Sequence, residues 1–306
     1  MRYGKLLLLA TILLGSMTLS AGDWRTKIDP QVLAELEAGA RVEVIVAFKE
    51  QADLSLAYRL RGKAAKGQFV YQQVEEVASR SQKRVKAFLF MKMQAFRSFA
   101  IVNALMTEVD LSVAKVIAEM EEVENLQPNP WTALDRPMLD LTPSSGGRGV
   151  VEWGVQRINA DDVWALGFRG EGVTVGGQDT GYEWEHPTII QQYRGYDGTT
   201  ADHNYHWHDA IREINLLHND SIVSPDNNPC GLDANAPCDD NNHGTHTMGT
   251  MVGDDGGDNQ VGVAPAANWI GCRNMERGWG SPASYIECFD WFLAPTDLNG
   301  ENADPA

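Results

Sequence analysis

Two short segments hold residue types that could do chemistry together. Asp179-Thr180-Gly181 closes an apolar run, Val173-Thr174-Val175-Gly176-Gly177-Gln178, and His243-Gly244-Thr245-His246 opens a small-residue stretch of helical character. An imidazole can take the proton of a hydroxyl nucleophile near neutral pH, and a carboxylate fixes the tautomer of that imidazole and stabilises its cation. An Asp just past a strand lies at the carboxyl edge of an open α/β sheet, where such sheets place their sites. A His at the start of a helix can lean over that same edge. Singly, each motif reads as a turn. Together, in the order Asp then His and each in its expected context, they make two members of an Asp-His-Ser charge triad. No Gly-Thr-Ser-like segment follows His243. The chain therefore reads as the front part of a triad enzyme, without its nucleophile.

The elements that must position this pair fall in the second half of 306 residues, a length with room for about two domains. Gly172 to Gln178 reads as a buried strand, Ala160 to Leu166 and His243 to Val252 as helices, and Pro282 to Leu293 as another helix. Gly244 and Gly249 are expected where that second helix packs closely. Val261 to Pro265 and Trp269 to Cys272 read as further strand ends. Strands alternating with helices predict a parallel α/β sheet. In the first half, Val42, Val44, Val46 and Phe48 alternate with Glu43, Ile45 and Ala47, a strand pattern. Residues 63–97 carry apolar side chains at helical spacing, Phe99 to Val109 is strand material with a turn at Asn103, Leu111 to Met120 is helical, and Val123 to Gln127 is a last strand. This β-α-β-β-α-β order predicts a small ferredoxin-like α+β domain. Between the halves, Pro128, Pro130, Pro137, Pro143 and the run Ser144-Ser145-Gly146-Gly147 mark an exposed linker. There is no internal repeat.

Composition excludes several classes. Residues 1–150 hold 19 Lys and Arg against 17 Asp and Glu, whereas residues 151–306 hold 6 against 25 and contain no Lys. An acidic second half argues against binding a phosphate backbone, so no nucleic-acid partner is expected. The opposite balance of the two halves allows them to attract each other. Residues 1–22 have the form of a secretory signal: Arg2 and Lys5, an apolar core from Leu6 to Leu14, and the small-residue exit Thr18-Leu19-Ser20-Ala21-Gly22. That core is too short to span a bilayer and no later run is longer, so the expectation is a secreted protein with no membrane span. Disulfides are then permissible. Of the four cysteines, Cys230 and Cys238 share one Pro/Asn/Gly-rich loop and are the expected bridge. Cys272 and Cys288 could pair with each other or elsewhere.

Two other clusters could bind metal. His203, His206 and His208, beside Asp202 and Asp209, form a His-rich patch, but nothing near it supplies the glutamate of a hydrolytic zinc site. Asp226-Asn227-Asn228 and Asp239-Asp240-Asn241 are rich in hard oxygen donors without matching an EF-hand loop. No metal ligand is assigned. No cofactor is required for the chemistry, and calcium remains an option as a structural ion.

On these motifs the chain resembles the subtilisin-like serine proteases. Val175-Gly176-Gly177-Gln178-Asp179-Thr180-Gly181, with His186-Pro187 after it, is similar to the family's Asp motif, and Asn242-His243-Gly244-Thr245-His246-Thr247-Met248-Gly249-Thr250 to its His motif. Val261-Gly262-Val263-Ala264-Pro265 is similar to the segment behind the latter. Residues 42–128 look like the inhibitory propeptide, and Trp153 to Ala160 like the entry into the mature enzyme. The inserted region, with Trp207-His208-Asp209-Ala210 and Gly271-Cys272-Arg273-Asn274-Met275, looks most like the bacillopeptidase F branch. The resemblance implies a signal over 1–22, an inhibitor-type propeptide over 23–130, a linker over 131–150, and the N-terminal part of a parallel-sheet peptidase domain over 151–306. It implies that Asp179 orients, that His243 is the base, that His246 is a packed neighbour, and that Gly278, Trp279 and Gly280 line the substrate cleft. The implied partners are protein or peptide substrates and the chain's own propeptide. The family's oxyanion-hole Asn segment and Ser segment are missing, which implies an inactive chain as it stands. The rival readings are a non-catalytic secreted inhibitor or chaperone that keeps the propeptide domain, and a metal-dependent hydrolase built on the histidines.

Overall fold

The computed structural model of the chain describes residues 23–135, 151–218 and 220–305. The signal expected over 1–22 and most of the linker, residues 136–150, lie outside the described residues.

The first half folds as α1 (Pro30–Glu37), β1 (Val42–Phe48), α2 (Lys63–Ser81), α3 (Lys83–Met91), β2 (Phe96–Phe99), β3 (Ala104–Val109), α4 (Leu111–Glu119) and β4 (Val123–Pro128). The four strands form one antiparallel sheet in the order β2-β3-β1-β4. Alternation along β1 sends Val44, Val46 and Phe48 to one face, where they are fully buried with Val85, Leu89, Val113 and Ile117 of the helices. Helix starts are capped as expected for Asp: Asp29 accepts from the amides of Gln31 and Val32, with Pro30 in the first turn, and Asp110 accepts from Val113.

The single helical stretch expected over residues 63–97 is instead two helices and a strand. Gln82, fully buried, interrupts the helix because its side chain is claimed by the β2–β3 turn. Its Nε2 donates to Asn103 Oδ1 at 3.0 Å, and its Oε1 accepts from Ser98 at 2.6 Å. Period alone cannot reveal such a break, since apolar spacing continues through it.

After a two-residue strand β5 (Thr132–Ala133), the second half contains α5 (Trp153–Arg157), α6 (Ala160–Ala165), β6 (Thr174–Asp179), β7 (Trp207–Asp209), α7 (His243–Val252), β8 (Asn268–Arg273), β9 (Met275–Glu276), β10 (Trp279–Gly280) and α8 (Pro282–Leu293). Strands β6, β8 and β7 form a parallel sheet in that order. One face packs on α7 through Trp269, Met248, Val252 and Tyr182, and the other on α8 through Ile270, Cys272, Cys288 and Trp291. Covering both faces is what a parallel sheet requires.

Val261–Pro265 is a loop, not the strand end expected. Its backbone donors serve the end of α7: the amides of Gly262, Val263 and Ala264 donate to the carbonyls of Gly253, Thr250 and Met251 at 2.8–3.0 Å. Carbonyls at a helix C-terminus need such partners, and this loop supplies them. Of the two helix glycines, Gly244 is closely packed but Gly249 has open space around it.

Helix α8 belongs to both halves. Its second face receives the free face of the antiparallel sheet, with Phe99 and Met106 against Ala283 and Ile286, and Leu293 against Val74, Ala78 and Ala100. Polar contacts frame this apolar strip. Arg97 pairs with Glu287 at 2.8 Å, the Ile101 amide donates to Asp290 at 2.7 Å, and Asn129 Oδ1 accepts from the Ala283 amide at 2.9 Å. A helix apolar on more than one side is a buried one, and α8 is covered from two directions.

Candidate active site

Asp179 is the last residue of β6 and His243 the first of α7. His243 Nδ1 lies 2.7 Å from Asp179 Oδ1. With Nδ1 committed as donor to the carboxylate, Nε2 is the nitrogen left to accept a proton, the arrangement a general base needs. The carboxylate is held on both oxygens: the Thr180 amide donates to Oδ1 at 2.7 Å, and Thr247 Oγ1 donates to Oδ2 at 3.0 Å. Thr247 stands one helical turn after His243, so it projects from the same face of α7. Sequence reading did not single it out, although its i+4 spacing was visible.

The close approach of α7 to the end of β6 depends on Gly244. A Cβ there would sit 2.0 Å from the Gly181 carbonyl oxygen and 3.1 Å from the Asp179 side chain. Asp239 locks the approach. Its Oδ1 accepts from Thr180 Oγ1 at 2.7 Å and from the amides of Asn241 and Asn242, and its Oδ2 accepts from the amide and hydroxyl of Thr245. One carboxylate thus joins the turn after β6 to the first turn of α7, where a negative charge is favoured by the helix dipole. Beneath the pair, Tyr182 is fully buried, and burial, with the Asp179 and Asp239 charges, holds its hydroxyl well above the ordinary phenol range. His246 is solvent-exposed rather than packed.

Gly278 lies in the turn before β10, and Trp279–Gly280 is the central strand of a small three-stranded sheet in the order β5-β10-β9. Thr132–Ala133 lies antiparallel on it, with Trp279 opposite Ala133 and Gly280 opposite Thr132, and the Leu134 amide donates to the Gly278 carbonyl at 2.6 Å. Thr132 and Ala133, within the expected linker, are therefore held as a strand. The turn is close to the dyad's helix, since Gly278 packs on the side chain of Asn241.

The histidine patch is dispersed. His203 Nδ1 meets the Tyr193 hydroxyl at 2.9 Å, His206 Nδ1 meets the Asp202 carbonyl at 3.0 Å, and His208 Nε2 meets Glu287 Oε1 at 2.9 Å. Among the described residues no group of three or more His, Cys, Asp or Glu is placed to hold a metal ion. In the oxygen-rich loops, Asp239 is hydrogen-bonded as above and Asn228 Nδ2 donates to Glu276 Oε1 at 2.5 Å. Asp240 differs in that its Oδ2 is buried without a hydrogen-bond partner. Burial pushes its carboxyl up to about 7, against the pull of Arg273, whose Nη1 is 3.8 Å from Oδ2 and too far for a hydrogen bond. Cys230 is disulfide-bonded to Cys238, and Cys272 on β8 to Cys288 on α8.

Residues 170–299 match the model of the Subtilase family. The chain is 28% identical to bacillopeptidase F of Bacillus subtilis (strain 168) over 92% of its own length and 20% of that protein. It is 32% identical to the minor extracellular protease Vpr of the same strain over 40% of its length and 12% of that protein. Among solved structures it is similar to the epidermin leader peptide processing serine protease of Staphylococcus aureus, with a TM-score of 0.47 and 12% identity, covering 78% of this chain and 43% of that one. Asp179 and His243 both lie within the residues that match the Subtilase family model. The chain spans about a fifth of the length of bacillopeptidase F, to which it is similar almost throughout.

Proposed function

We propose that the chain is part of a secreted subtilisin-like serine endopeptidase, in which residues 1–22 direct export, residues 23–130 are a ferredoxin-like inhibitory propeptide, and residues 151–306 supply the Asp and His of the triad. The observation that carries this reading is the strand formed by Thr132–Ala133 on Trp279–Gly280. An extended peptide laid on a sheet edge is how a protease holds a substrate, with affinity from main-chain hydrogen bonds. The tail that follows the small domain takes that position in cis, which is what an inhibitor that is also a first substrate would do. The apolar strip and the Arg97–Glu287 pair on α8 dock the domain from which the tail extends.

In the mechanism, a serine hydroxyl loses its proton to His243 Nε2 as it attacks the peptide carbonyl. The imidazolium formed is stabilised by Asp179, and the same proton then goes to the leaving amine. Asp179 is held in orientation by Thr180 and Thr247. No serine among the described residues is hydrogen-bonded to His243, and the 306 residues hold no Gly-Thr-Ser-like segment. On this reading the chain alone does not turn over. No cofactor takes part in the chemistry.

Purified 23–306 is expected to take no label from a fluorophosphonate probe and to leave casein intact; stoichiometric labelling of any of its serines would overturn the assignment. Segment 23–135, once circular dichroism shows it folded, is expected to inhibit a complete enzyme of the bacillopeptidase F type at micromolar or lower concentration. A folded segment without inhibition removes the propeptide role.

A further inference from the structure

The hairpin that offers its edge to the tail is built against its own turn preference. Glu276 and Trp279 face each other across β9 and β10, and the two residues between them, Arg277 and Gly278, have φ of +48° and +88°. Two positive φ values define a type I′ turn, which favours Asn-Gly. Gly278 suits its position, and a Cβ there would press on Asn241 at 3.0 Å. Arginine at the first position is the anomaly, since a residue with a Cβ is disfavoured in the left-handed region.

What holds it there is its side chain, which is turned away from the tail and nearly buried at 7% exposure. Its Nε donates to Glu276 Oε1 at 2.5 Å, its Nη1 to Asp220, and its Nη2 to the carbonyls of Asn215 and Ile222 at 3.3 and 3.4 Å. Its backbone amide donates to Asp240 Oδ1 at 2.9 Å. Glu276, fully buried, is held in turn by Asn228 Nδ2 at 2.5 Å and the Asn215 amide at 3.3 Å. His218, from the same insertion, sets its ring edge-on to Trp279 at 5.9 Å. Every partner from outside the hairpin comes from residues 215–240, a segment anchored by the Cys230–Cys238 disulfide.

We infer that Arg277 is a positioning residue for peptide binding: its guanidinium locks the insertion 215–228 behind the hairpin, and the lock holds the Trp279–Gly280 edge in register for an extended peptide strand. This rests on the reading of that edge as the peptide-binding site. The insertion is then a buttress that sets how well the edge takes a peptide, without touching the peptide itself.

Turn and clamp make opposite predictions for one substitution. Arg277→Asn gives the preferred type I′ sequence and removes the clamp. Residue-resolved hydrogen exchange of the intact chain is read at the Leu134 amide, which donates to Gly278, with the amides of β1 and β8 as controls. The clamp predicts that Leu134 exchanges about tenfold faster or more in Arg277→Asn, the factor for losing a charged hydrogen bond, with β1 and β8 unchanged. Arg277→Lys, which keeps one charged contact, is expected to lie between the two. Protection in Arg277→Asn equal to that of the unmutated chain overturns the inference and leaves the site assignment standing. Free exchange at Leu134 in the unmutated chain overturns both. Should Arg277→Asn unfold β8, Asp220→Asn carries the test, since that carboxylate is part-exposed. About threefold faster exchange confined to the tail supports the clamp, and no change refutes it.

Discussion

In the antiparallel unit the largest fully buried side chains include Phe48, Phe99, Leu36, Leu89, Leu105 and Ile117, whereas in the parallel unit they are Trp207, Trp269, Arg273, Tyr182 and Tyr193. The first set needs only exclusion from water. The second brings polar atoms inside, and most must be answered. Trp207 Nε1 donates to the Ala234 carbonyl and Trp269 Nε1 to the Ile189 carbonyl, both at 2.8 Å. Arg273 donates to Asp209 at 3.2 Å and to the Gly231 carbonyl at 2.6 Å. Two of those four partners, Ala234 and Gly231, lie in the inserted loop region and a third, Asp209, at the end of β7. The contrast is between a core that fails by cavity and one that fails by orphaned polar groups, and the dyad is built on the second.

The largest effects should come from attacking each core in its own terms. Phe48→Ala is expected to cost about 3–5 kcal/mol, read as loss of the thermal transition of the antiparallel unit, because the cavity has aliphatic walls that collapse only in part. Arg273→Ala should cost a similar ~3–5 kcal/mol by leaving Asp209 buried without its partner. The comparison breaks if both substitutions destabilise the same transition equally at low and high pH. Only the Arg273 variant should recover stability in acid, where Asp209 can take up a proton.

Next in size is the pH response of Asp240. Its carboxyl titrates at about 7 in the folded chain against an ordinary 3.8. A raised folded value means the contribution to stability is complete below about pH 4 and is lost as the pH climbs through about 7. Asp240→Asn should therefore flatten the fall in melting temperature between about pH 4 and 7. An unchanged pH profile would show that Asp240 is ionised and paired with Arg273. At the interface, Arg97→Ala leaves Glu287 with His208 and Arg212 still in place, so a loss of about 1–2 kcal/mol in the docking of the two units is expected. The smallest effect sharpens the contrast from outside. Arg41→Ala breaks a pair with Glu108 in which both side chains are about half exposed, and should change stability by less than ~1 kcal/mol at physiological salt.

Much of the site was legible because its signals are local. Asp179 ends a strand and His243 begins a helix, and in each case the neighbouring residues announce the boundary. The helix over Pro282–Leu293 was readable for the same reason: Ser281 caps it and Pro282 occupies its first position. The loop at Val261–Pro265 was not, because apolar residues that cap a helix end look like those of a strand. The partner of the Arg277 clamp was equally hidden, since Asn215, Asp220 and Ile222 are more than fifty residues away in sequence and reach it only when the insertion folds back.

The amino-acid sequence by itself determined the two chemistry-bearing motifs, their order, the charge contrast between the halves, and the alternation that makes β1 a two-faced strand. These depend on residue type and on periods of two or 3.6, which any stretch of chain carries with it. Tertiary structure alone decided that Gln82 breaks a helix and that Cys272 bonds Cys288. It also decided that His203, His206 and His208 scatter to separate partners, and that Thr132–Ala133 lies on Trp279–Gly280. Each of these is a pairing between distant segments. Which polar group answers which is settled only when packing brings them within about 3 Å, where leaving either one unanswered costs more than the contact itself is worth.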